Sequence, residues 1–85
     1  MSENSNWYVY IVRCSDNTLY TGITKNVIKR IDEHNQGRKL AARYTRGRRP
    51  VELVYQEKLS SRSQASTREY QIKQMGKKEK ENLVS

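Results

Sequence analysis

Eighty-five residues and 10.0 kDa leave room for one small domain and exclude a second. Hydrophobic residues make up 34% and charged residues 31%, with no Phe, one Trp and six Tyr, so the core must be thin and most of its aromatic rings carry hydroxyls. A lone cysteine, Cys14, and the lack of any apolar run long enough for a bilayer exclude a disulfide scaffold and a membrane span, while the net charge of +8 favours an anionic partner.

Met1–Asn6 reads MSENSN, without the basic start and apolar stretch of a secretory signal, which points to the cytoplasm. Trp7–Cys14 (WYVYIVRC) and Leu19–Thr24 (LYTGIT) are aromatic and β-branched and are separated by polar turn residues, the pattern of a β-hairpin. A three-residue loop at Asp16, Asn17 and Thr18 pairs Cys14 with Tyr20. Trp7, Val9, Ile11, Leu19 and Ile23 then line one face, and Tyr8, Tyr10, Tyr20 and Gly22 the other.

Asn26 is an N-cap and Gly37 a stop, which predicts a helix over Val27–Gln36 with Val27, Ile28 and Ile31 as its buried stripe. Arg30 and His34, four apart, lie on a flank of that stripe. Arg38–Pro50 (RKLAARYTRGRRP) has five arginines and no clean period, so it reads as a long basic loop. Between Lys25 and Pro50 there are nine basic residues and two acids, nearly the whole charge excess of the chain; such a cluster suits phosphates, whose neutralisation releases counterions. Val51–Leu59 is a third strand. Ser61 and Gln64 form a capping box that opens a second helix through Met75, Gly76 ends it, and Lys77–Leu83 forms a short terminal helix or frays.

In that second helix Ala65, Glu69 and Ile72 fall at i, i+4 and i+7, which sets a carboxylate in the middle of the face that should pack on the sheet. Glu69 is then either a ligand or catalyst, or an acid partnered by Arg68, Lys73 or another base at the rim of the core.

These residues resemble the GIY-YIG endonucleases, specifically the small stand-alone bacterial members, which are similar to the nuclease modules of excision repair and junction resolution. Tyr8-Val9-Tyr10 stands at the first tripeptide and Tyr20-Thr21-Gly22 at the second, with Tyr8 in place of Gly and Thr21 in place of Ile. Arg30 and His34 follow ten and fourteen residues after Tyr20, and Glu69 matches the metal-binding Glu of the later helix. Tyr44–Tyr55 also looks like the loop and strand of the short subgroup, so the resemblance covers about Trp7–Met75.

The resemblance implies an α+β fold, a small three-stranded, mostly antiparallel sheet with helices packed on it. It also implies metal-assisted hydrolysis of a phosphodiester, with Glu69 holding one Mg²⁺ or Mn²⁺. Arg30 would offset charge on the scissile phosphate. His34 would orient or deprotonate the attacking group or simply pack. Tyr10 would position and Tyr20 would activate or orient water, with the two roles interchangeable on sequence alone. Gly22 is kept as motif backbone. Lys29, Arg38, Lys39, Arg43, Tyr44, Thr45, Arg46, Arg48 and Arg49 would grip nucleic acid, with Tyr44 able to stack on a base. One Cys and one His are too few for a zinc site. The expectation is a monomeric DNA endonuclease acting at branched or damaged sites, with DNA preferred to RNA and a protein partner in repair compatible. The alternative is a DNA- or RNA-binding module that keeps the fold without cleaving.

Overall fold

The computed structural model describes residues 6–37 and 42–85; Arg38 and Lys39 lie outside the described residues. Three strands, β1 (Trp7–Arg13), β2 (Leu19–Thr24) and β3 (Glu52–Leu59), form an antiparallel sheet in the order β2-β1-β3. The central place of β1 follows from its composition, since an unbroken apolar and aromatic run can be covered on both faces. On one face Val9 and Ile11 meet Ala65 and Ile72, extended by Leu19, Ile23, Leu59, Leu83 and Val84. On the other, Tyr10, Val12, Cys14 and Val51 gather with Tyr20, Ile31 and Leu53. A bulge between Ile11 and Val12 pairs them with Tyr55 and Leu53, so Val54 is the extra residue.

The two faces are those read from the sequence, and the register differs by two residues. Val12, not Cys14, pairs with Tyr20, and Tyr10 lies opposite Gly22. The connecting loop has three residues, but they are Ser15, Asp16 and Asn17, because Cys14 N–H already donates to Thr18 O at 2.8 Å. Asn17 takes the left-handed conformation (φ 71°) that such loops need. Asp16 fixes the turn by accepting from the Thr18 backbone N–H and hydroxyl.

Helix α1 spans Val27–Gln36, as its caps predict: Asn26 Oδ1 accepts from Lys29 N–H, and Gly37 closes the helix in the left-handed conformation (φ 68°). Its buried stripe requires correction. Ile28 is 84% exposed, and the stripe runs through Val27, Ile31 and His34, a spacing of four and three that turns Ile28 about 100° away. The basic stretch is also not all loop. It contains a short helix, α2 (Arg43–Arg46), and β3 then begins one residue later than expected, at Glu52. Asn35 supplies the strand-like partner Val51 lacks: Val51 N–H donates to its Oδ1 at 2.7 Å, and its Nδ2 donates to Val51 O at 3.1 Å.

Helix α3 (Arg62–Lys73) starts at Ser61, whose hydroxyl accepts from Gln64 N–H; the Gln64 side chain reaches Ser60, one residue before the expected box partner. It ends at Lys73, short of Met75. Gly76 then caps a full terminal helix, α4 (Lys77–Val84), which is tied to β1 by two hydrogen bonds from Arg13 to the Glu81 carboxylate at 2.7 and 3.0 Å.

Candidate active site

Tyr10 and Tyr20 share a sheet face because their strands pair in a register that keeps even numbers together. The Tyr10 ring crosses its partner Gly22 so closely that a Cβ there would stand 2.6 Å from the phenol oxygen. Glycine is therefore required at this point by close approach rather than by backbone angle. The ring leads the hydroxyl into a buried run of hydrogen bonds. Tyr10 Oη lies 2.8 Å from His34 Nε2, His34 Nδ1 lies 2.8 Å from Thr45 Oγ1, and Thr45 donates to Ala42 O at 3.1 Å. Tyr10 is 1% exposed, and His34 and Thr45 are fully buried.

The directions along this run follow from its end. A backbone carbonyl only accepts, so Thr45 donates to it and must receive from His34 Nδ1–H; His34 Nε2 then accepts from the Tyr10 hydroxyl. His34 is thus neutral, with its proton on Nδ1. Burial, then the nearby Arg30 charge, lowers its pKa to about 4, and burial pushes the Tyr10 phenol up to about 12 despite the Arg30 guanidinium hydrogen-bonded to it. Arg30 also pairs with Glu33 at 2.8 Å, one turn along α1. Burial opposes its charge, and the bonds to Glu33 and Tyr10 outweigh that.

Tyr20 occupies the solvent side of the same face. Its ring meets His34 edge-on at 5.5 Å and stacks on Tyr44 at 5.6 Å, and Lys73 Nζ lies 6.0 Å from its centre. Unlike that of Tyr10, its hydroxyl makes no hydrogen bond among the described residues. Glu69, half-buried on α3, ion-pairs with Lys73 at 3.2 Å through Oε2, leaving Oε1 without a hydrogen bond, and its charge bears on Tyr10. The structure therefore brings Tyr10, Tyr20, Arg30 and His34 together on one face of the sheet, and Glu69 bears on them from α3, which packs on the opposite face. Among the described residues no three His, Cys, Asp or Glu converge on a point. One hard oxygen donor fits a hydrated Mg²⁺ or Mn²⁺, which keeps several waters, and fits no thiolate- or imidazole-seeking metal.

The basic residues divide into two groups. Arg48 is committed inside the protein: Nε to Asp16 at 2.9 Å, Nη1 to Tyr44 O at 2.8 Å, and its guanidinium 4.0 Å over the Tyr44 ring. Arg49 caps α1, donating to Asn35 O, Gln36 O and Arg46 O. Thr45, expected on the nucleic-acid face, is instead enclosed against His34, and Tyr44, expected as a base-stacking platform, is exposed while its ring also contacts Tyr20 and the Arg48 guanidinium. Lys29, Arg43 and Arg46 remain at the surface. Sequence reasoning missed Thr45 as the partner of His34 and Asp16 as the anchor of Arg48, but it named Lys73 among the partners open to Glu69. Their i, i+4 spacing was the signal for that pair, and the two missed contacts had none.

The family described as the GIY-YIG catalytic domain matches residues 6–82, from the residue before β1 into α4. Among curated proteins, a UPF0213 protein of Desulfotalea psychrophila is 60% identical over 78 residues, covering 92% of this chain and 70% of that protein. A UPF0213 protein of Staphylococcus haemolyticus is 54% identical over 77 residues, 91% of this chain and 92% of its own. The solution NMR structure of a UPF0213 protein from Bacillus halodurans shares 43% identity, covers 93% of this chain and 82% of that one, and superposes with a TM-score of 0.59. By this family match, these relatives and the shared fold, the chain belongs to the GIY-YIG family, among its UPF0213 members.

Proposed function

We propose that this protein is a divalent-metal-dependent endonuclease that hydrolyses DNA phosphodiester bonds, acting at branched or damaged sites. The observation that carries this reading is the contrast between the two phenols. Tyr10 spends its hydroxyl in a buried run and is held protonated, whereas Tyr20 presents an unpartnered hydroxyl on the same face, beside the Glu69–Lys73 pair. Tyr20 is then the group that orients the attacking water, and Tyr10 with His34 and Thr45 sets the place of α1 and hence of Arg30. Arg30 meets the phosphate and offsets its growing charge. Held at Glu69, Mg²⁺ or Mn²⁺ would draw charge from the phosphate oxygens and acidify water. The proton released by that water passes to solvent, which Tyr20 faces.

A nicking assay on supercoiled, single-stranded and flapped DNA with added Mg²⁺ or Mn²⁺ tests the proposal. Tyr20→Phe and Glu69→Ala each lower cleavage at least about 100-fold, within the range seen for single catalytic groups, and leave thermal stability within a few degrees of the parent. Tyr10→Phe lowers both activity and stability. Cleavage that survives Glu69→Ala removes Glu69 from the mechanism. Binding without any metal-dependent nicking makes the protein a binding module on the same fold.

A further inference from the structure

At the outer end of β1, away from the tyrosines, the chain's one tryptophan collects two cations. Lys25 Nζ and Arg62 Cζ each lie 5.6 Å from the Trp7 ring centre, within cation–π range. Both are exposed, and neither pairs with a carboxylate among the described residues. The Trp7 indole N–H, half-buried, has no acceptor among them either.

The surroundings add to the positive potential. Lys25 precedes the Asn26 cap of α1, and Arg62 is the first residue of α3; neither helix carries an acid in its first turn. A cation at a helix N-terminus opposes the dipole, and two like charges on one ring oppose each other, which offsets the modest gain from exposed cation–π contacts. An anion placed there relieves both repulsions and takes the free indole N–H.

We propose that Trp7, Lys25 and Arg62 form a second nucleic-acid contact, a phosphate clamp that holds the backbone outside the tyrosine site. This rests on the reading that the substrate is a nucleic acid. Trp7 lies on the sheet face opposite Tyr10, but Arg62 and Glu69 are seven residues apart on α3, two turns or roughly 10 Å along one side of the helix, so one polymer reaches both the clamp and Glu69. Arg62 lies outside the basic stretch of the sequence and joins Lys25 only through the fold.

The test is binding of a short DNA duplex to the full chain in EDTA, read by anisotropy of the labelled duplex over a range of salt and by Trp7 emission with unlabelled duplex. In the parent protein, duplex binding changes Trp7 emission. Lys25→Gln together with Arg62→Gln, both on the surface, reduces the slope of log K against log salt by about 2, one for each lost phosphate contact, and weakens the emission change. Arg43→Gln reduces the slope by about 1 and leaves the emission change intact. An unchanged slope in the double variant, with Arg43→Gln still active, overturns the clamp and spares the nucleic-acid reading. Absence of salt-dependent binding in the parent overturns both.

Discussion

Alanine at Gly22 probes the arrangement on which the rest of the site stands. A Cβ there would lie 2.6 Å from the Tyr10 hydroxyl oxygen and 2.8 Å from the carbon bearing it, where ordinary contact begins at 3.4 Å. Tyr10 sits directly across the ladder in a filled core and cannot swing aside freely. Opening the missing distance, about 0.8 Å, stretches the 2.8 Å bond to His34 to about 3.6 Å, outside hydrogen-bond range. Overpacking costs about 1–3 kcal/mol and stranding the buried His34 acceptor about 1–3 kcal/mol. The sum, roughly 2–6 kcal/mol, is a large share of the roughly 4–13 kcal/mol available to a chain of this size. Thermal unfolding followed by circular dichroism should show a melting temperature lower by at least about 10 °C, and the ¹⁵N shifts of the His34 ring should move. Combined with Tyr10→Phe, which removes the nearest atom of the overlap, Gly22→Ala should cost at least about 1 kcal/mol less than it does alone. A Gly22→Ala protein that melts within about 2 °C of the parent with unmoved His34 signals would refute the close approach and the hydrogen-bond run built on it.

Other expectations follow from separate features. His34 is the only histidine, and its folded pKa of about 4 lies below the ordinary 6.5, so the unfolded chain binds its proton more readily. Stability should be full above pH 6.5 and fall by about 3 kcal/mol at most as pH drops to 4; urea unfolding at stepped pH measures this, and a flat profile between pH 6.5 and 4.5 contradicts it. Gly37→Ala should lose about 1–2 kcal/mol for its left-handed backbone and more because the new Cβ overlaps the Arg49 guanidinium that caps α1; chemical denaturation reads the loss. Glu81→Gln weakens a solvent-screened pair with Arg13. It should therefore speed amide exchange in α4 severalfold while leaving β1 unchanged.

Much of the frame was legible because it depends on neighbours in the chain. The alternation of β1 and β2 sorted the tyrosines from the aliphatic residues correctly even though the register slipped by two, since a slip of two preserves faces. The caps at Asn26 and Gly37 delimited α1 to the residue. Ile28 misled because hydrophobicity was taken as the sign of burial, while the inward place went to His34, whose cost is met by Tyr10 and Thr45. The partner of an arginine is equally invisible in sequence. Arg48 and Arg49 read as free cations, yet Asp16, a backbone carbonyl of α2 and the last turn of α1 claim them through contacts set by tertiary structure. Trp7 gave no hint of its two cations, which come from positions 37 residues apart.

A peptide oxygen is a one-way terminus, and that of Ala42 governs more than its own bond. Because it can only receive, every group upstream is committed in turn, and the imidazole cannot exchange its two nitrogens' roles without breaking the first turn of α2. Chemical polarity here is written in main-chain shape instead of in charge. Salt does not erase such a setting, and neutral pH does not reverse it; only a rearrangement of the segment bearing that oxygen could.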